Sequence, residues 1–157
     1  MTAETDNLEL PGGLDHSRMQ TLLGYNIAQA SIPSSKVFQR AIGRPFNISQ
    51  VEFTILVLLS SNPGATGKQL CASLGTTAAR MSLLLDRLAE RGWIVKTQSG
   101  QDKRLQHLQL RPEGDALVRK TLHVAVTMES DLLRHLTKVE QAVLMELLRK
   151  VAAQRKG

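Results

Sequence analysis

Asp102, Lys103 and Arg104, in "SGQDKR", put one acid and two cations at the end of a polar loop. The runs on either side, 93–98 and 105–110, alternate apolar with polar residues, which is the period of a strand. A cation on a narrow hairpin tip can enter the groove between two phosphate backbones. Arginine suits that task because its guanidinium is planar, permanently charged and weakly hydrated. Arg104 is therefore the candidate for groove insertion and Lys103 for a phosphate. Asp102, repelled by a polyanion, is expected to shape the tip by accepting from loop amides or a neighbouring cation. A second set lies just upstream in "TTAARMSLLLDRLAERG". Thr76, Thr77, Ala79, Arg80, Ser82 and Leu83 are candidates for DNA contact there, with Asp86, Arg87 and Glu90 further along the same face. Arg80 suits a guanine edge or a phosphate, and Ala79 and Leu83 suit thymine methyls, although Leu83 also fits packing against a neighbouring element. Lys68, Arg87 and Arg91 fit phosphate contacts or ordinary surface charge.

Bond-making chemistry has no comparable set. No nucleophile stands beside a base and no carboxylates are paired, so an enzyme is not expected. The histidines at 16, 107, 123 and 135 and the lone Cys71 have no zinc-ligand spacing, so neither a metal nor a cofactor is expected. Cys71, beside Leu70 and Leu74, reads as a small buried hydrophobe, with an oxidant sensor as the alternative.

These side chains need elements to hold them. "SQVEFTILVLLSSNPG" and "TGKQLCASLG" each begin with a capping box, Ser49 with Glu52 and Thr66 with Gln69, and end at a glycine or "NPG". The helix from Thr76 to Gly92 buries Met81, Leu84, Leu85 and Leu88. A short helix, a tight turn, a longer helix and a basic hairpin make a helix-turn-helix with a wing. Flanking it, 15–43 reads as helix with a kink or break near Ser31–Ile32 caused by Pro33. A helix from Pro112 to about Leu136 follows the hairpin. A last one, capped by Thr137 and Glu140, carries Val143, Leu144, Leu147, Leu148 and Val151 as a pairing seam.

The charge is distributed to match. The 157-residue chain is formally +6, and residues 64–111 hold eight Lys/Arg against three acids, a local +5. Residues 1–14 read as a flexible acidic arm. Five aromatic residues are too few for a single-strand stacking platform. No apolar run approaches a membrane span and no signal peptide is apparent, so a cytoplasmic protein without membrane contact is expected.

The middle of the chain resembles the MarR-type winged-helix transcriptional regulators. The resemblance rests on "LGTTAARMSLLLDRLAERGWI", with its "LDRL" and "GW", followed by "DKR" and "LQLRPEG". It implies a mainly α fold with a small β-hairpin wing. The winged helix would occupy 47–111, with dimerisation helices at 15–44 and 112–157 in a single domain from 15 to 157. It further implies a homodimer on a pseudo-palindromic double-stranded operator, usually a repressor released by a small ligand. Asp86 and Arg104 look like the family's helix-to-wing ion pair. The effector pocket of such proteins would be lined here by His16, Met19, Leu23, Tyr25, Asn26 and Ile27. "GYNIAQASIP" with "FNISQVEFTIL" resembles the branch sensing aromatic acids or their coenzyme A thioesters. Lys36, Arg40 and Arg44, four residues apart, would form a stripe that is either solvated or receives an acidic or phosphate-bearing effector. One departure is Arg111, where relatives place Thr or Ser as a helix cap, at a cost of about 1 kcal/mol. The rival readings are a redox-sensing regulator working through Cys71 and a winged helix used as a protein-interaction module.

Overall fold

A computed structural model describes residues 10–98, 100 and 106–155. After a 3-10 turn at Ser17–Met19, helix α1 runs Leu23–Phe38, a π-helical turn spans Gln39–Gly43, and α2 is Arg44–Phe46. The chain continues with α3 (Gln50–Ser61), β1 (Ala65–Thr66), α4 (Gly67–Leu74), α5 (Ala78–Glu90), β2 (Ile94–Gln98) and β3 (Gln106–Leu110). It closes with α6 (Pro112–Met128), α7 (Ser130–Leu133) and α8 (Lys138–Ala152). The fold is thus mainly α, with a small antiparallel sheet ordered β1-β3-β2.

The capping signals act as their chemistry requires. Ser49, Thr66 and Thr137 each close a reciprocal box, with Glu52, Gln69 and Glu140 respectively, so three helices start where an orphan N–H finds a side-chain acceptor. Gly75, at φ 60°, ends α4 in the left-handed conformation that a glycine adopts without a Cβ penalty. The turn to α5 is only Gly75-Thr76-Thr77, and Thr77 Oγ1 accepts from Arg80 N at 3.3 Å to start the next helix. Arg111 precedes α6 with no side-chain cap, as the sequence departure implies. Glu113 and Asp115 in the first turn favourably oppose the helix dipole there.

Pro33 does not break the first helix. It lies inside α1, on an exposed face where the ring projects outward, and Ser31 Oγ donates to Ala28 O at 2.7 Å in the preceding turn. The irregularity falls later, where Arg44 N donates to Gln39 O across a widened turn. The Gln39 side chain lies over Gly43, and a Cβ there would approach Gln39 Oε1 to 2.5 Å. The start of α1 at Leu23 is also later than the apolar spacing suggests, and the helix after Pro112 stops at Met128, eight residues early. The two-residue β1 has no counterpart in the sequence pattern. It pairs Ala65 with Leu108 and Thr66 with His107, against the inner edge of the hairpin.

Two buried clusters organise the molecule. The larger joins Ile55, Leu56 and Leu59 of α3, Leu70 of α4, the Met81/Leu84/Leu85/Leu88 face of α5, Ile94, Leu108 and Val118. The smaller gathers Phe38, Ile42 and Ile48. Trp93 packs against both, so the residue that follows the recognition-type helix ties the winged helix to the π-helical turn. Its carbonyl accepts from Arg111 N at 2.9 Å, which fixes the start of α6 against the end of α5.

Candidate nucleic-acid interface

The amphipathic split of α5 fixes which side chains are presented. With four apolar residues buried beneath it, Ala79, Arg80, Ser82, Leu83, Asp86 and Arg87 are all exposed. Leu83 is 67% exposed, so among the described residues it is not packed against a neighbouring element. Leu83 thus places an apolar side chain one helical turn after Arg80 on the outward face of α5. Thr77 is the N-cap of α5 and Thr76 N donates to Cys71 O at 3.2 Å, so both threonines hold the turn from which α5 emerges. Lys68 is exposed in the first turn of α4.

The hairpin pairs β2 with β3 in register from Ile94 opposite Leu110 to Gln98 opposite Gln106. Ile94 and Leu108 anchor its base in the core. Asp102, Lys103 and Arg104 lie outside the described residues, and so does any Asp86–Arg104 pair. Asp86 nevertheless has a partner within the body of the fold: its Oδ1 takes the ammonium of Lys96, from β2.

Arg87 and Arg91, at the far end of α5, turn toward the α2–α3 corner. Arg87 Nη1 lies 3.5 Å from Glu52 Oε1. Arg91 Nη1 donates to Asn47 O at 2.6 Å, and its guanidinium stacks 3.6 Å over the Trp93 ring. Asn47 is the left-handed residue that lets α2 end there. Glu52, only 3% exposed, accepts from Ser49 N and Oγ, each at 2.8 Å, while facing Arg87. Sequence spacing located the capping box but not its second partner, because a contact spanning 35 residues leaves no local pattern. Arg44, Arg87 and Arg91 line one polar cleft of about 590 Å³ with Glu52, whereas Lys36 and Arg40 are exposed on α1 and the π-turn away from that lining.

Burial alone raises the Glu52 carboxyl, but the Ser49 N–H and hydroxyl, and then the charges of Arg87 and Arg91, outweigh it and leave the group below its ordinary value. A carboxylate lowered by folding contributes stability above its unfolded value and loses that contribution as pH falls through the folded one. Wild-type thermal midpoints are therefore expected to drop on acidification below about pH 4 to 5. Glu52→Gln should be less stable at neutral pH and show a flatter acid limb. Parallel melting curves for the two proteins from pH 7 to pH 3 would contradict this.

Of the residues suggested for an effector pocket, His16 Nδ1 and the Tyr25 hydroxyl are hydrogen-bonded, with ring centroids 5.9 Å apart. His16 Nε2 is buried and has no hydrogen-bond partner among the described residues. Asn26 Nδ2 donates to Gln20 O at 2.8 Å and to Leu22 O at 2.9 Å, holding the entry to α1. Met19, Leu23 and Ile27 are exposed. A separate cavity of about 340 Å³ lies between α4, α5 and the hairpin, with Cys71, Met81 and Leu85 on its walls and Lys68 and Lys96 among its cations. The Cys71 thiol is half-buried there and unbridged. Among the described residues, no three His, Cys, Asp or Glu side chains gather to hold a metal ion. No described helix is long and apolar enough to cross a membrane.

A tight two-helix turn presenting a polar helix face, with a basic hairpin folded against it, defines a winged helix-turn-helix DNA-binding protein. Residues 46–105 match the MarR family. The HTH-type transcriptional regulator PecS of Dickeya dadantii is 30% identical over 123 residues, which cover 74% of each protein. The putative transcriptional regulatory protein for the hcr operon of Thauera aromatica is 23% identical over 141 residues, 90% of this chain and 85% of that one. The solved structure of the transcriptional repressor CouR bound to a 23-mer DNA duplex superposes with a TM-score of 0.82 at 27% identity, covering 90% of this chain and 99% of that one. The chain belongs to the MarR family of DNA-binding transcriptional regulators.

Proposed function

We propose that the protein is a homodimeric repressor that reads a pseudo-palindromic operator through α5 and the hairpin tip and is released by a small aromatic or acidic molecule. The observation that carries this reading is the face of α5, where Arg80, Ser82 and Leu83 stand exposed above a helix whose other side is fully buried. In a major groove, Arg80 would meet a guanine edge or a phosphate and Leu83 a thymine methyl, while Lys68 would contact the backbone. Two such faces about one helical turn apart, roughly 34 Å, would read successive half-sites. Under the same proposal 47–111 is the DNA-binding part, while 15–44 and 112–157 pair two copies.

Release by an anionic ligand is supported by the cavity beneath α5, whose apolar walls and the exposed Lys68 at its edge suit a ring bearing a carboxylate. Its position between α4, α5 and the hairpin means that an occupant would press on the elements proposed to meet DNA. His16, Tyr25 and Asn26 remain the alternative lining, at the entry to α1.

Arg104→Ala tests the wing. The variant should keep the wild-type thermal midpoint and lose about 1–3 kcal/mol of operator binding at moderate salt. Unchanged affinity would remove the hairpin tip from the interface. The protein-interaction alternative predicts no preference among duplexes, and the +5 charge of 64–111 speaks against it.

A further inference from the structure

Asp86 is an anomaly on the face just described. It follows Ala79, Ser82 and Leu83 at helical spacing, so its carboxylate shares their side of α5, and it is 53% exposed. A bare negative charge there would repel a phosphate backbone. The charge is met by Lys96, whose side chain is only 22% exposed and whose ammonium rests on Asp86 Oδ1. Lys96 is held in turn. Its strand position is directly opposite Leu108, which is buried in the main core, and it lines the cavity between α4, α5 and the hairpin together with Lys68, Ser82 and Leu85.

We infer that Lys96 is a positioning residue for DNA reading: through Asp86 it fixes the wing strand to the outward side of the recognition helix and cancels the acid that directly follows Leu83 on that stripe. Lys96 acts from within the fold and contacts no phosphate itself. Among the described residues, this pair joins helix to wing strand without the wing tip. This rests on the reading that α5 and the hairpin face DNA, and the experiment separates the two.

The full-length protein would be titrated against a duplex that it selects from a random double-stranded library, between about 50 and 200 mM salt. Lys96→Met should bind about 10-fold more weakly or worse, with the salt slope of the wild type, and Lys96→Arg should stay within about 3-fold. Adding Asp86→Asn to Lys96→Met should restore at least about 3-fold, because the uncompensated acid is then gone. A lysine that merely touched phosphate would lower the salt slope by about one and gain nothing from Asp86→Asn. That result, or wild-type affinity in Lys96→Met, overturns the inference. If Lys96→Met melts early, the exchange Asp86→Lys with Lys96→Asp replaces it. Tighter binding by the exchange than by either single reversal supports the pair, and equally weak binding overturns it. Failure of the wild type to enrich any duplex would instead bring down the DNA reading, and this inference with it.

Discussion

Replacing Leu144 and Leu148 together with aspartate is expected to halve the particle mass in solution and to weaken operator binding by about 100-fold or more. Helix α8 has no buried residue, although it spans fifteen residues and begins with a complete capping box. Val143, Leu144, Leu147, Leu148 and Val151 all stand exposed, as do Leu22, Leu23, Ile27 and Ile32 near the other end of the chain. A helix of this length is marginal in water without a packed face, and contiguous apolar surface on this scale marks an interface. A second copy of the chain, offering the same seam, is the occupant proposed. Each leucine covered contributes about 1.5–3 kcal/mol, whereas a carboxylate in the same dry seam would have to be desolvated without a partner. Once the copies separate, each winged helix binds its half-site alone and the gain from tethering is lost. Light scattering beside a titration of full and half operators reads both effects. Unchanged mass with unchanged affinity would remove α8 from the assembly.

Gly114→Ala should produce the largest loss of stability for the smallest change in side chain. Gly114 is buried in the first turn of α6, and a Cβ there would lie 2.1 Å from Trp93 O, 2.9 Å from Trp93 C and 3.2 Å from Trp93 Cα. These are backbone atoms, and Trp93 O is also the acceptor for Arg111 N, so no side chain can turn aside to make room. Alanine improves intrinsic helix propensity by up to about 1 kcal/mol, but a contact this close forces α6 away from the end of α5. Overpacking of this kind costs about 1–3 kcal/mol, a drop of roughly 2–10 °C in a domain of this size. Gly24 supplies the control. It is helical and exposed, and nothing lies within 4 Å of a Cβ built on it, so Gly24→Ala should hold or raise the melting temperature. A Gly114→Ala protein that melts with Gly24→Ala would contradict this account of the junction.

The two glycine-containing motifs illustrate what was legible beforehand. "GW" and "LQLRPEG" signal a family resemblance in sequence, yet their physical reason is a meeting of Trp93 with Gly114 across the base of the hairpin, which no local period encodes. Capping boxes and the buried face of α5 were readable because hydrogen-bond partners three residues apart and a 3.6-residue period are local. Pro33 departs from the break expected of it because of where its ring lies. A proline on an exposed helical face can be accommodated, and the irregularity instead arose at the π-turn, where no sequence signal marks it. The short strand β1 exists as a strand through its pairing to β3, more than forty residues away, so propensity alone does not reveal it. On the site, the exposed stripe of α5 followed from periodicity, but the diversion of Arg87 to Glu52, of Arg91 to Trp93 and of Asp86 to Lys96 depended on tertiary contacts.

The most direct test of the whole account is a competition titration of the full-length protein between the DNA flanking its own gene and a scrambled duplex of equal length, at physiological salt. A regulator reading bases through Arg80, Ser82 and Leu83 should prefer the flanking DNA by about 1,000-fold or more, and Arg80→Ala should erase much of that preference while leaving the melting temperature unchanged. Equal affinity for both duplexes would contradict it, whereas a preference that Arg80→Ala leaves intact would place Arg80 on a phosphate.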